Sequence, residues 1–211
     1  MSAPSDPVTL VLHGLRLKGF AEAGVVAEVV AVPDTEAKAI LDSLVADGLA
    51  SYRDGRLSGF TLTPLGRDEH LRRLAEELAA HDVREAIHAA YRGFLQHNAD
   101  LLSVCTRWQL RDVDGQSLIN DHQDRAYDEE VVAELTGIHD RIVPVCADLA
   151  GALDRYSLYG PRLSSALERL QAGDVDWFTK PMIPSYHTVW FELHEDLLAT
   201  LGIERGSEEP A

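Results

Sequence analysis

Cysteine is scarce in this chain. The two present, Cys105 and Cys146, form no C-x-x-C pair, which argues against a disulfide framework or a cysteine-built zinc site. Each falls on an apolar helical stripe, so both are expected as buried free thiols in a reducing cytoplasm. Long apolar runs are absent as well. Without about 18 consecutive apolar residues no helix is expected to span a membrane, and the opening MSAPSDPVTL lacks the basic-then-apolar order of a signal peptide. No P-loop, G-x-G-x-x-G or G-x-S-x-G motif occurs, so neither a cofactor nor an enzymatic activity is expected. Positive charge is the last shortage: 19 Lys and Arg stand against 35 Asp and Glu, a net charge of −16. The deficit is uneven, 8 against 12 over residues 1–80 and 11 against 23 over residues 81–211. The second part is thereby excluded as a nucleic-acid surface, whereas the first can still carry a local basic patch.

What the chain does have is helical periodicity. An apolar pattern over VTLVLHGLRLKGF predicts a first helix and GVVAEVVAV a short second one. Pro33 breaks the chain, and Asp34 is expected to N-cap a third helix whose inward stripe is Ala37, Ile40, Leu41, Leu44 and Val45. Gly48 ends it. LASYR and SGFTLT alternate as strands around an Asp54-Gly55 turn, and Thr63-Pro64 opens the next helix as N-cap and first helical residue. Beyond that the reading is all-helical. Long segments are expected at about 82–109 and 127–156, with Pro144 kinking or splitting the latter, then a short helix, GPRLSSALERLQAG, and a last one, YHTVWFELHEDLLATLG. RDVDGQSLINDHQDRA and DVDWFTKPMIPS read as loops. The fold class is therefore mainly α with a small β-wing. A winged helix-turn-helix is expected at 1–80, a helical domain for dimerisation or ligand sensing at 81–205, and a disordered tail at 206–211.

The stretch VVAEVVAVPDTEAKAILDSLVADGLASYRDGRLSGFTLTPLGR resembles the DNA-binding core of MarR-type transcriptional regulators. VAEVVAV matches the first helix of the helix-turn-helix, DTEAKAILDSLVADGL the recognition helix with its L-x-x-x-G-L ending, and RDGRLSGFTLTPLGR the wing with its L-T-x-x-G-R closure. The resemblance covers under a third of the chain. It implies a homodimer on promoter or operator DNA, with Thr35, Glu36, Lys38, Ala39 and Ser43 facing the groove and Arg53, Arg56 and Arg67 on the phosphates. Arg16 and Lys18 could add phosphate contacts. The helix presents one cation among carboxylates, although each phosphate contact ordinarily uses a Lys or Arg. The competing expectation is a winged helix reused as an adaptor that docks a protein, for example a phosphotransfer enzyme, without binding DNA.

All three tryptophans lie in the C-terminal part. With polar companions they suggest a small-molecule effector pocket lined by Asn98, Trp108, Trp177, His187, Trp190 and His194. The alternative is a helical core in which these polar groups satisfy one another. A metal on the last helix is not expected. His187 and His194 are seven residues apart, roughly 10.5 Å along a helix, too far to share an ion bound at about 2 Å. His81, Glu85 and His88 have better spacing but lie on a solvated face.

Overall fold

The computed structural model describes residues 2–113, 115–204 and 206. The protein is mainly helical, with two small antiparallel hairpins. Contacts divide it into two compact units. Within the described residues the first gathers 2–87, 152–155 and 194–206, and the second 88–151 and 156–193. Two segments distant in sequence thus join the first unit. Apart from Gly206, the expected tail at 206–211 lies outside the described residues.

The first unit is built from α1 (Pro7–Lys18), α2 (Ala23–Val30), α3 (Asp34–Ala46), the hairpin β1 (Ala50–Arg53) and β2 (Gly59–Leu62), and α4 (Pro64–His81). Asp6 caps α1 through Thr9 N. Its core joins Val11, Leu12 and Leu15 to Val26, Val30, Ala37, Leu41, Leu44, Phe60 and Leu62. Of the expected α3 stripe, Ala37, Leu41 and Leu44 are buried and Ile40 is half-buried, but Val45 turns outward at 37% exposure. Asp34 does not cap α3. Pro33 holds the N-cap position and Asp34 sits in the first turn, where its charge still favours the helix dipole. Gly48, with φ 72°, takes the left-handed conformation that glycine adopts without a Cβ clash and turns the chain toward β1. Thr63 caps α4 by accepting from Gly66 N at 3.1 Å. A Cβ on Gly66 would lie 1.9 Å from the Leu49 carbonyl oxygen, so the glycine of the L-T-x-x-G-R closure permits α4 to start against the β1 entry.

The second unit contains most of α5 (Arg84–Gln109), the hairpin β3 (Leu110–Val113) and β4 (Gln116–Ile119), most of α6 (Arg125–Ala152), α7 (Tyr159–Gln171), the short α8 (Asp176–Thr179), and the first half of α9 (Tyr186–Leu201). Three expectations are corrected here, the first being that 174–185 is a loop throughout, since Asp176–Thr179 within it forms α8. The stretch 111–126 is not one loop, because its start forms β3 and β4. Asp112 accepts from Gly115 N at 2.9 Å and Gly115 has φ 79°, so Asp and Gly supply a tight turn within a segment too short to show periodicity. Nor does Pro144 split α6, which runs through it from Arg125 to Ala152. The lost amide bond falls at an exposed position, where water can serve the freed carbonyl. Cys105 and Cys146 are free and buried, and burial pushes both thiols up to about 12.

Candidate functional site

The face built by α3 and the β1–β2 hairpin carries most of the residues named from sequence. Thr35, Glu36, Lys38, Ala39 and Ser43 are all exposed on it. Three of the cations named from sequence, one on this face and two on α4 and α1, are however committed within the chain. Lys38 Nζ donates to Asp42 Oδ1 at 2.7 Å, one turn away, and lies 5.9 Å from the Phe60 ring centroid. Arg67 Nη1 donates to the Leu62 carbonyl at 3.1 Å, tying α4 to the end of β2. Arg16 pairs with Glu195 at 3.4 Å. Arg53 and Arg56 remain exposed on the hairpin. The Arg53 guanidinium stacks 4.8 Å above the Phe20 ring, which braces it and leaves its N–H edge available to an oxyanion.

Beside these cations lies a groove of about 580 Å³ lined by Glu22, Lys38, Asp42, Val45, Tyr52 and Phe60, among others. Tyr52 is 50% exposed and packs on Phe60 with ring centroids 4.8 Å apart. Its lining combines the apolar Val45, Tyr52 and Phe60 with Glu22 and the Lys38–Asp42 pair.

The most unusual chemistry of the first unit is buried, and sequence reasoning missed it. His13 on α1, His70 and Glu77 on α4, Arg155, and Asp196 and Thr200 on α9 form one polar cluster. His13 Nε2 stands 2.9 Å from Asp196 Oδ2, and His13 Nδ1 shares a 3.0 Å hydrogen bond with His70 Nε2. Arg155 donates to Asp196, to Thr200 Oγ1 at 2.7 Å and to Glu77 Oε2 at 3.1 Å. His13 and Asp196 are 2% and 1% exposed. Burial alone would raise the Asp196 carboxyl, but the Arg155 and His13 charges hold it below the usual carboxylate range. Burial, aided by the His13 and Arg155 charges, pushes His70 down to about 2, so it stays neutral. His70 Nδ1 is buried and makes no hydrogen bond among the described residues. A clue was legible: His13 interrupts the apolar run of α1, and Asp196 and Thr200 sit among apolar residues of α9. A charge in such a place needs a buried partner, but which partner it finds is decided by tertiary contacts.

In the second unit, the residues named for a ligand pocket are mostly occupied with structural partners. Asn98 Oδ1 accepts from Trp190 Nε1 at 2.9 Å, and Trp190 packs 4.8 Å from Phe94. Trp108 lies between His122 and Phe178, at 4.4 and 5.2 Å. Trp177 lies under the Arg169 guanidinium at 4.2 Å. His187 is half-buried, and burial lowers its pKa. His194 belongs to the first unit rather than to this group. A groove of about 320 Å³ in this unit is lined instead by Asp100, Ser103, Glu134, Arg141 and their neighbours. His139 bridges Ser164 Oγ and Tyr186 OH at 3.2 and 3.3 Å. Burial lowers the His139 pKa and raises that of Tyr186, so the histidine links two neutral hydroxyls.

Among the described residues no group of three or more His, Cys, Asp or Glu is placed to hold a metal ion, and no helix is long and apolar enough to cross a membrane. The chain matches no protein-family model, no curated protein and no solved structure.

Proposed function

We propose that the chain is a cytoplasmic winged-helix regulator of the MarR-like kind, whose contact with promoter DNA runs chiefly through the β1–β2 hairpin. The observation that carries this reading is the pair Arg53 and Arg56, exposed on a hairpin that follows two short helices and leads into α4. Here α2 and α3 form the helix-turn-helix and the hairpin is the wing. Arg53 and Arg56 meet phosphates, while Thr35, Ala39 and Ser43 approach base edges as neutral groups. Lys38 joins them only after leaving Asp42. Binding of this design is modest and salt-dependent, and it gains from a dimer that places two wings on one duplex.

A second reading has its own observation. The one cation of α3, Lys38, is neutralised by Asp42, and both line a groove shared with Glu22, Val45, Tyr52 and Phe60. That face suits a protein segment bearing a basic and an apolar side chain, and the winged helix then acts as an adaptor. Fluorescence anisotropy separates the two. A labelled duplex from upstream of the protein's own gene is titrated at low and at physiological salt, beside a scrambled duplex. Saturable binding that weakens in Arg56→Ala supports the regulator. No binding at low salt, where every phosphate contact is strongest, refutes it and leaves the adaptor.

A further inference from the structure

A third stretch of backbone lies along the edge of β2 that faces away from β1. Ala21 N donates to the Phe60 carbonyl at 3.1 Å, and Phe60 N donates to the Ala21 carbonyl at 2.8 Å. Thr61 Oγ1 donates to the Gly19 carbonyl at 2.7 Å. The segment leaving α1 is thereby fastened to the hairpin, and it delivers Phe20 there. Arg53 and Gly59 are register partners at the turn end of the same hairpin. The Phe20 ring takes the space that a side chain at 59 would need, since a Cβ on Gly59 would stand 2.9 Å from two of its ring carbons. A glycine in a strand leaves a gap of this kind, which an aromatic side chain from a neighbouring strand can cover. The same ring carries the Arg53 guanidinium, 4.8 Å from its centroid. Gly59, Phe20 and Arg53 thus form one stack, and the glycine is what lets the ring reach.

Lys38, Arg67 and Arg16 each give up hydrogen bonds to an acceptor of the chain. Arg53 is held differently. Among the described residues its guanidinium meets the Phe20 ring and no carboxylate, so its orientation is fixed while its charge stays available. A free arginine side chain must be ordered when it binds, which costs roughly two- to tenfold in affinity. A ring already under the guanidinium removes that cost in advance. We propose that Phe20 is a positioning residue of the wing, holding Arg53 in the orientation in which it meets a phosphate. The inference rests on the reading of the wing as a DNA contact. Phe20 adds no charge of its own, so it acts on affinity and not on the number of counterions released.

Two measurements on the full chain test this. The first needs no DNA: the Arg53 side-chain protons of the free protein should change their NMR shifts in Phe20→Leu, because the ring current above which they sit is gone. The second is anisotropy with the upstream duplex at several salt concentrations. Phe20→Leu is expected to weaken binding about two- to tenfold for each wing engaged, with the salt slope unchanged. Arg53→Ala, by contrast, should lower that slope by about 1.8 in a dimer. In the Arg53→Ala background Phe20→Leu should cost nothing further. Phe20→Tyr keeps a ring under the guanidinium and should stay within about twofold of the wild type. Gly59→Ala displaces the ring from the other side and should reproduce the Phe20→Leu loss. Unshifted Arg53 protons, an unchanged affinity, a lowered slope in Phe20→Leu, or an equal loss in the Arg53→Ala background overturns the proposal and leaves the reading of the wing standing. Shifted protons in a wild-type chain that binds no duplex at low salt overturn the reading of the wing itself, and the role of Phe20 with it.

Discussion

Asp196→Asn is the most informative single perturbation of the first unit. It removes a charge and changes almost no volume. In the native chain that carboxylate faces Arg155 on one oxygen and His13 on the other, and Thr200 donates to it at 3.0 Å. Breaking a buried ion pair by deleting one partner costs roughly 3–5 kcal/mol, because the other charge stays buried and uncompensated. Glu77 still holds Arg155 at 3.1 Å, which places the expected loss near the lower end, about 3 kcal/mol. All three tryptophans fall in the second unit, so urea unfolding should be followed by far-UV circular dichroism and by exchange of α1 and α4 amides. Replacing the Glu77–Arg155–Asp196 ion set by apolar residues, with Glu77→Leu, Arg155→Met and Asp196→Leu together, should cost less than Asp196→Asn alone, since the Arg155 guanidinium is then not stranded. A loss below about 1 kcal/mol for Asp196→Asn, the range of exposed pairs, would refute the buried-cluster argument.

Two more predictions concern stability. His70 has a folded value of about 2 against an ordinary 6.5. As pH falls the unfolded chain therefore takes up the proton first. The stability this residue contributes is complete above about 6.5 and declines by up to about 1.4 kcal/mol per pH unit below it. Asp196, also held below its ordinary 3.8, adds a second loss in more acid solution. His70→Phe should flatten the first part of a stability profile measured between pH 7 and 5, and an unchanged slope there would contradict the assignment. Gly66→Ala forces a Cβ against the Leu49 carbonyl 1.9 Å away. Backbone must move, so a loss of at least about 1–3 kcal/mol is expected in thermal unfolding, and a neutral variant would mean that the α4 entry is looser than described.

The legible parts of this fold share one property: they are specified by neighbours in sequence. Thr63 and Pro64 opened α4 where their cap chemistry placed it, and Ala37, Leu41 and Leu44 face the core at helical spacing. The β3–β4 hairpin was hidden because its strands are four residues each, β3 sets Arg and Asp between apolar residues, and β4 runs Gln-Ser-Leu-Ile without alternation. Pro144 does not split α6, because it lies on the exposed side of the helix, where water can serve the freed carbonyl. At the candidate site the residue types were visible and most of their commitments were not. The Lys38–Asp42 pair, one helical turn apart, could be read from spacing, but nothing local to Arg67 or Arg16 says that the Leu62 carbonyl and Glu195 hold them. The His13–Asp196 contact joins residues separated by most of the chain, which no local pattern encodes.

The count of available cations turns the DNA-binding claim into a number. The two cations exposed on the wing of each protomer, Arg53 and Arg56, give four phosphate contacts for a dimer if the wing alone meets the backbone. The slope of log affinity against log salt should then be about −3.6, a loss of roughly 150-fold between 50 and 200 mM. If Arg16, Lys18, Lys38 and Arg67 also reached phosphates, the slope would approach −11. The most direct test is therefore an anisotropy titration of the upstream duplex at several salt concentrations, with wild type and Arg56→Ala side by side. The account predicts a slope near −3.6 that falls by about 1.8 in the variant. A duplex that does not bind at low salt, or a slope that Arg56→Ala leaves unchanged, would contradict it.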